Sequence, residues 1–200
     1  NLFIEDALQE TTTTTAAVSA EYGRFSGGVV NAVTKSGGNE FSGSFRTTFD
    51  NDDWTALTPY LNDRRTDKII PTYEATLGGP FLKDKLWFYG TFGKQDVKLC
   101  RLNGTTDATL LPSYNAKLNW QAGSNTMVTG YYFVGKKQKF GRAVGFFPNE
   151  ADSFLWNQDI AYTDGGLPGG LTKFEINHTF NANFFASIKA AYYDTGFTLA

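Results

Sequence analysis

The segment "EYGRFSGGVVNAVTKSGGNEFSG", residues 21–43, places a glycine pair on each side of a short β-branched run. The run itself, "VVNAVT" at residues 29–34, favours a strand because β-branched side chains suit a pleated surface. The pairs at 27–28 and 37–38 permit sharp bends and close backbone approach. A new alternating segment begins near Glu40. This stretch therefore predicts a small unit, a glycine hinge and then a series of longer strands.

The composition favours strands and turns and narrows the classes of function. Aromatic residues make up 16% of the 200 residues and charged residues only 19%, which is low for a densely charged soluble surface. The net charge of −2 gives no basic patch for nucleic acid. Cys100 is the one cysteine and His178 the one histidine, so Cys-based zinc sites and histidine clusters are excluded. We predict no cofactor and no metal.

Apolar and polar residues alternate with a period of two in seven segments after residue 40, as expected for strands. The segments are 41–49, 73–78, 86–92, 114–120, 126–135, 173–180 and 184–192. Tight turns are predicted at 81–85, 121–125 and 181–183, and they alternate with long connections at 50–71, 96–112 and 136–170. Short turns alternating with long loops are typical of a transmembrane antiparallel β-barrel.

One face of the predicted strands is apolar or aromatic and the other is polar. The polar face carries Glu74 and Glu175 together with Arg46, Asn115, Lys117, Asn119, Lys173, Asn177 and Lys189. In a small soluble barrel this face would meet solvent, whereas in an outer-membrane barrel it lines the lumen. Alternation alone leaves both open. The long strands, the aromatic content and the unequal connections favour the membrane barrel, with these side chains facing the lumen.

Two segments resemble a known family. "SAEYGRFSGGVVNAVTKSGGNEFSGSF" (19–45) and "LGGPFLKDKLWFYGTF" (77–92) are similar to the end of the plug and the first barrel hairpin of TonB-dependent outer-membrane receptors of the Oar-like branch. The resemblance implies an all-β fold. Residues 1–38 would be the C-terminal part of the plug domain. Residues 39–200 would be the first seven or so of 22 barrel strands, with long extracellular loops.

The same resemblance implies a function. The protein would bind an extracellular ligand, whose identity stays open, and import it by TonB-dependent energy coupling in the outer membrane of a Gram-negative-type bacterium. Its partners would be outer-membrane lipid and the TonB–ExbB–ExbD energy complex, reached through a segment upstream of Asn1 in a longer protein. An adhesin-like protein or a passive channel with the same barrel is the alternative. We predict no enzyme, because hydrolase and metalloprotease motifs are absent from the sequence.

Two sets of candidate site residues follow from this interpretation. Plug-to-barrel ion pairs would join Glu21, Arg24 and Lys35 to Glu74 or Glu175, unless these charges are simply solvated in a wet lumen. Candidate ligand contacts are the aromatic residues of the long connections: Trp54, Tyr60, Phe146, Phe147, Phe154 and Trp156. Such rings also pack loops or form interfacial girdles. His178 lies on the apolar face near a tight turn, which favours an interfacial position.

Overall fold

The computed structural model describes residues 4–15, 27–57, 59, 67–100, 106–143, 155–160, 170–194 and 197–199. This part of the chain is built from antiparallel strands with two short 3-10 turns, Glu5–Ala7 and Asp52–Trp54. The strands are β1 Leu8–Thr14, β2 Val29–Thr34, β3 Ser42–Asn51, β4 Ile69–Leu82, β5 Leu86–Cys100, β6 Thr106–Gly123, β7 Thr126–Gly135, β8 Lys137–Ala143, β9 Leu155–Ile160, β10 Gly170–Asn181, β11 Phe184–Asp194 and β12 Phe197–Leu199. Among these residues, no helix has the length and apolar character needed to cross a membrane.

Seven long strands form one continuous antiparallel meander, in the order β3-β4-β5-β6-β7-β10-β11. Each strand pairs antiparallel with the one that precedes it in this order, and β8 and β9 lie in the chain between the paired strands β7 and β10. The connections β4–β5, β6–β7 and β10–β11 are tight turns at one end of the sheet. The predicted all-β class and the three predicted tight turns are confirmed, and the meander fits a fragment of a β-barrel.

The predicted lengths of two connections are wrong. β5 continues to Cys100 and β6 starts at Thr106, so most of the expected loop 96–112 is paired strand. The expected loop 136–170 likewise contains β8 and β9, and β8 pairs with β6 and β9. Backbone hydrogen bonds extend these hairpins beyond the point where two-residue alternation stops, and that alternation was the signal on which the loop boundaries rested.

Burial on the seven-stranded sheet is the inverse of that in a soluble sheet. On one face, Phe45 is 71% and Ile188 65% exposed. On the other face, Glu74, Thr91 and Asn115 are buried. We call the first the outer face and the second the inner face. Exposed apolar side chains opposite buried polar ones match the pattern of a barrel wall with lipid outside and a polar lumen inside.

A separate N-terminal unit, residues 4–15 and 27–35, contains a two-stranded sheet of β1 and β2. The threonine-rich run of β1 pairs antiparallel with the "VVNAVT" strand. The Lys35 amide donates to the Ala7 carbonyl at 2.9 Å, which closes the unit. Gly27, just before β2, has a φ of 94°, a left-handed conformation that favours glycine.

Candidate functional site

The N-terminal unit is attached to the inner face by hydrogen bonds from three wall strands. The Ser44 hydroxyl of β3 donates to the Asp6 carboxylate at 2.9 Å, and the Tyr89 hydroxyl of β5 donates to the Asp6 carbonyl at 3.0 Å. On β6, the Lys117 ammonium donates to the Thr34 carbonyl at 3.0 Å. Contacts at both ends of the unit therefore fix its position against the polar side of the sheet.

An ion network joins the unit to the wall beside these bonds. The Arg46 guanidinium lies between two carboxylates, with its Nε atom 2.6 Å from Glu74 and its Nη2 atom 3.2 Å from Glu5. The Glu74 side chain is buried, whereas Glu5 is largely exposed. A buried carboxylate is costly without a charged partner, so the Arg46–Glu74 pair is the part of the network on which the wall depends. The exposed Glu5–Arg46 pair is the weaker half, which connects the unit to it.

The predicted ion pair of Lys35 with Glu74 or Glu175 is not formed. In the described part of the chain, Lys35 has no side-chain ion pair, and Glu74 and Glu175 bind the wall cations Arg46 and Lys189. The reason is register, because Arg46 is directly opposite Glu74, and Lys189 directly opposite Glu175, on neighbouring strands. Glu21 and Arg24 lie outside the described residues.

The sequence interpretation missed Glu5 and Asp6, which make the ionic contact of the unit with the wall and its hydrogen bonds with β3 and β5. They form the 3-10 turn that precedes β1, and no motif or alternation marks them. The Glu175–Lys189 pair was within reach of the sequence, because β10 and β11 form a tight-turn hairpin whose register can be counted back from the turn. The Arg46–Glu74 pair was not, since β3 and β4 are joined by a long connection.

The predicted lumen-facing residues all lie on the inner face with the N-terminal unit. They are Arg46, Asn115, Lys117, Asn119, Lys173, Asn177 and Lys189. Several of them line a cleft of about 590 Å³ between the unit and the wall, together with Asn31, Tyr131 and Glu175. Inside it, the Lys173 ammonium lies 5.8 Å from the centre of the Tyr131 ring. The cleft thus combines an aromatic surface with charges of both signs.

The linker from the unit to the wall is fixed to the β4–β5 turn. The Asn39 side chain donates to the Asp84 carboxylate at 2.5 Å and accepts from the Asp84 amide at 2.9 Å and from the Trp87 indole at 2.7 Å. Asp84 itself has a φ of 62°, as its place in the turn requires. The glycine-rich segment is therefore not a free hinge along its whole length, because Asn39 binds it to the tight-turn end.

Most of the aromatic residues proposed as ligand contacts lie beyond the described residues: Tyr60, Phe146, Phe147 and Phe154. Trp54 is 64% exposed in its 3-10 turn, and Trp156 belongs to β9. Trp54 is not among the residues that line the cleft. Among the described residues, no group of three or more acidic, histidine or cysteine side chains is arranged to hold a metal. Near Trp54, the side-chain amide of the buried Asn51 donates a hydrogen bond to the Asp67 carboxylate at 2.8 Å.

Comparison with known proteins gives one informative similarity. The chain is 39% identical over 97 residues, 42% of its length, to a TonB-dependent transporter Oar of Myxococcus xanthus, and this match spans 9% of that relative. No protein-family model matches the chain, and no solved structure matches it. The similarity supports a partial, distant relationship to a TonB-dependent transporter. It suggests a transporter or receptor in general, with an outer-membrane location.

Removing the shared arginine tests the attachment of the unit to the wall. We expect Arg46→Leu in the full-length protein to loosen the N-terminal unit, because both the buried Glu74 and Glu5 lose their partner. Limited proteolysis of the folded, detergent-solubilised protein should then cut near β1 faster than in wild type. Glu5→Gln should have a smaller effect, since that pair is exposed. Equal cleavage rates in wild type and Arg46→Leu would contradict the proposed role of the network.

Proposed function

We propose that this chain supplies the C-terminal part of a plug and the first strands of the barrel in an outer-membrane receptor. The receptor binds an extracellular ligand and imports it by TonB-dependent energy coupling. The observation that carries the proposal is the attachment of the N-terminal unit to the polar inner face by Asp6, Glu5 and Thr34. A separately folded unit held in the lumen by polar contacts can be displaced without unfolding the wall.

The anchored linker supports the orientation of the barrel in this proposal. Asn39 binds the unit's C-terminal connection to the β4–β5 turn, so the unit enters the wall from the tight-turn end. Tight turns lie on the periplasmic side of outer-membrane barrels and the longer loops lie outside. In this orientation, the connection after β3, which contains Trp54, meets the exterior.

Energy-dependent exposure of the cleft separates this function from an adhesin or a passive channel. We expect Asn31→Cys, in the full-length protein with Cys100→Ser, to react faster with a membrane-impermeant thiol reagent in energised cells than in cells treated with an uncoupler. Asn31 lines the cleft, so movement of the unit changes its accessibility. Deleting TonB should abolish the difference.

Two control positions define the baseline of that experiment. Thr55→Cys, beside the exposed Trp54, should be labelled on intact cells at the same rate with or without energy. Gly123→Cys, at the β6–β7 turn, should stay protected. If the labelling rate of Asn31→Cys were the same with and without the uncoupler, and with and without TonB, energised import would be excluded and the passive alternatives favoured.

A further inference from the structure

A groove runs along β7 on the outer face, where one side chain is absent. Gly130 lies between Leu118 of β6 and Phe174 of β10, its partners across both strand pairings. A Cβ atom at Gly130 would meet nothing within 4 Å. With Leu86, Trp120 and Val128, these residues enclose about 400 Å³. Every side chain that lines the groove is apolar or aromatic.

A polar pair lies on the same face at the tight-turn end of this groove. Thr126 starts β7, and its hydroxyl is 2.8 Å from Nδ1 of His178 on β10. The His178 ring also packs edge-on against the Phe180 ring, with 4.3 Å between the two ring centres, and this contact fixes the orientation of the imidazole. Its other ring nitrogen has no hydrogen-bond partner among the described residues. Gly130 lies four positions after Thr126, roughly 13 Å along the extended chain.

We propose that this groove and polar pair form a binding site for one diacyl glycerophospholipid. One acyl chain lies along β7 over Gly130, and His178 and Thr126 hydrogen-bond the phosphate or the glycerol ester. The inference rests on the proposed function in one respect, which is that the outer face meets a bilayer. Unlike the cleft on the inner face, the site is complete within four adjacent strands.

Three features favour a lipid over a protein occupant. The slot left by one absent side chain matches a single unbranched alkyl chain, whereas a second copy of the sheet would present a row of branched and aromatic side chains. Trp120 flanks the groove near the turns, where indole rings occupy membrane interfaces. Lys83 and Lys85 are exposed in the neighbouring turn and add positive charge for an anionic headgroup.

The test uses the full-length protein in mild detergent and native mass spectrometry with two probes, phosphatidylglycerol and headgroup-free diacylglycerol. We expect wild type to retain phosphatidylglycerol in preference to diacylglycerol. Gly130→Leu should lower retention of both probes by about tenfold, because it removes contact with roughly two methylene groups of the chain. His178→Phe keeps the ring contact and should abolish only the preference for the phospholipid.

The matched control is Ala190→Leu, which adds three of the four carbon atoms that Gly130→Leu adds, on the same face beside Phe174 but outside the groove. It should bind both lipids like wild type. Equal loss in the control, or a change of oligomeric state in place of lipid loss in Gly130→Leu, would overturn the lipid site. A heat-modifiable shift on gels reports the folded barrel separately. Its loss in the wild-type protein would count against the barrel itself and thus against the proposed function.

Discussion

Ile188→Arg should destabilise the folded protein in a lipid bilayer by about 2–4 kcal/mol, the range for a cation placed near the midplane of a barrel's lipid face. Ile188 lies in the middle of β11 on the outer face and is 65% exposed. The free energy of unfolding in vesicles, measured by denaturant titration of the full-length protein, checks the value. The effect comes from transferring the guanidinium out of water, since no packed core is disturbed.

The neighbouring position supplies the control for this prediction. Ser187 is also exposed and also on β11, but it points to the inner face with Lys189. Ser187→Arg should therefore cost much less, because its charge enters an aqueous lumen. If the two variants lose equal stability, or if Ile188→Arg is harmless, the outer face of this sheet does not meet lipid.

The two faces of the sheet could be predicted from the sequence because successive side chains in a regular strand point to opposite faces of the sheet. Lys117 and Leu118 are adjacent in sequence, and they line the cleft and the outer groove respectively. The tight turns at Lys83–Lys85 and 124–125 were also predictable, since they break the alternation with polar and glycine residues. These two signals fix the meander.

The extended hairpins could not be predicted from the same signals. At Val97–Cys100 and Thr106–Thr109 the strands continue by backbone pairing while the side-chain pattern becomes irregular. A backbone hydrogen bond does not require a particular side chain, so the alternation of apolar and polar residues does not reveal these strand pairings. The strands β8 and β9 were missed for the same reason, because β8 is held by backbone pairing with β6, and β9 by backbone pairing with β8.

The attachment of the N-terminal unit was beyond sequence interpretation in a different way. Glu5 contacts Arg46, 41 positions later, and Asp6 contacts Ser44, 38 positions later, and no local pattern encodes either contact. By contrast, the glycine-rich opening segment did indicate close backbone approach, and within the second pair the structure assigns it to Gly37. Gly37 packs against the backbone of β4 and β5, whereas a Cβ atom at Gly38 would meet nothing within 4 Å.

Gly37→Ala should therefore destabilise the assembled protein by about 1–3 kcal/mol, the usual cost of forcing extra volume into a packed site. The added Cβ atom would overlap the Phe88 carbonyl oxygen and approach its carbonyl carbon to 2.9 Å and the Gly79 carbonyl oxygen to 3.0 Å. All three atoms are backbone atoms of paired strands, so no side chain can turn away to relieve the overlap. Either the linker moves outward or the β4–β5 ladder distorts.

Outward movement of the linker would also loosen the contacts of Asn39, two residues after Gly37, with Asp84 and Trp87. Gly38→Ala is the matched control. It makes the same chemical change one residue away, in open space and without a left-handed backbone, and should leave both stability and heat-modifiable assembly unchanged. If Gly37→Ala assembled and unfolded like Gly38→Ala, the linker would not lie against β4 and β5. The glycine pair would then serve flexibility alone.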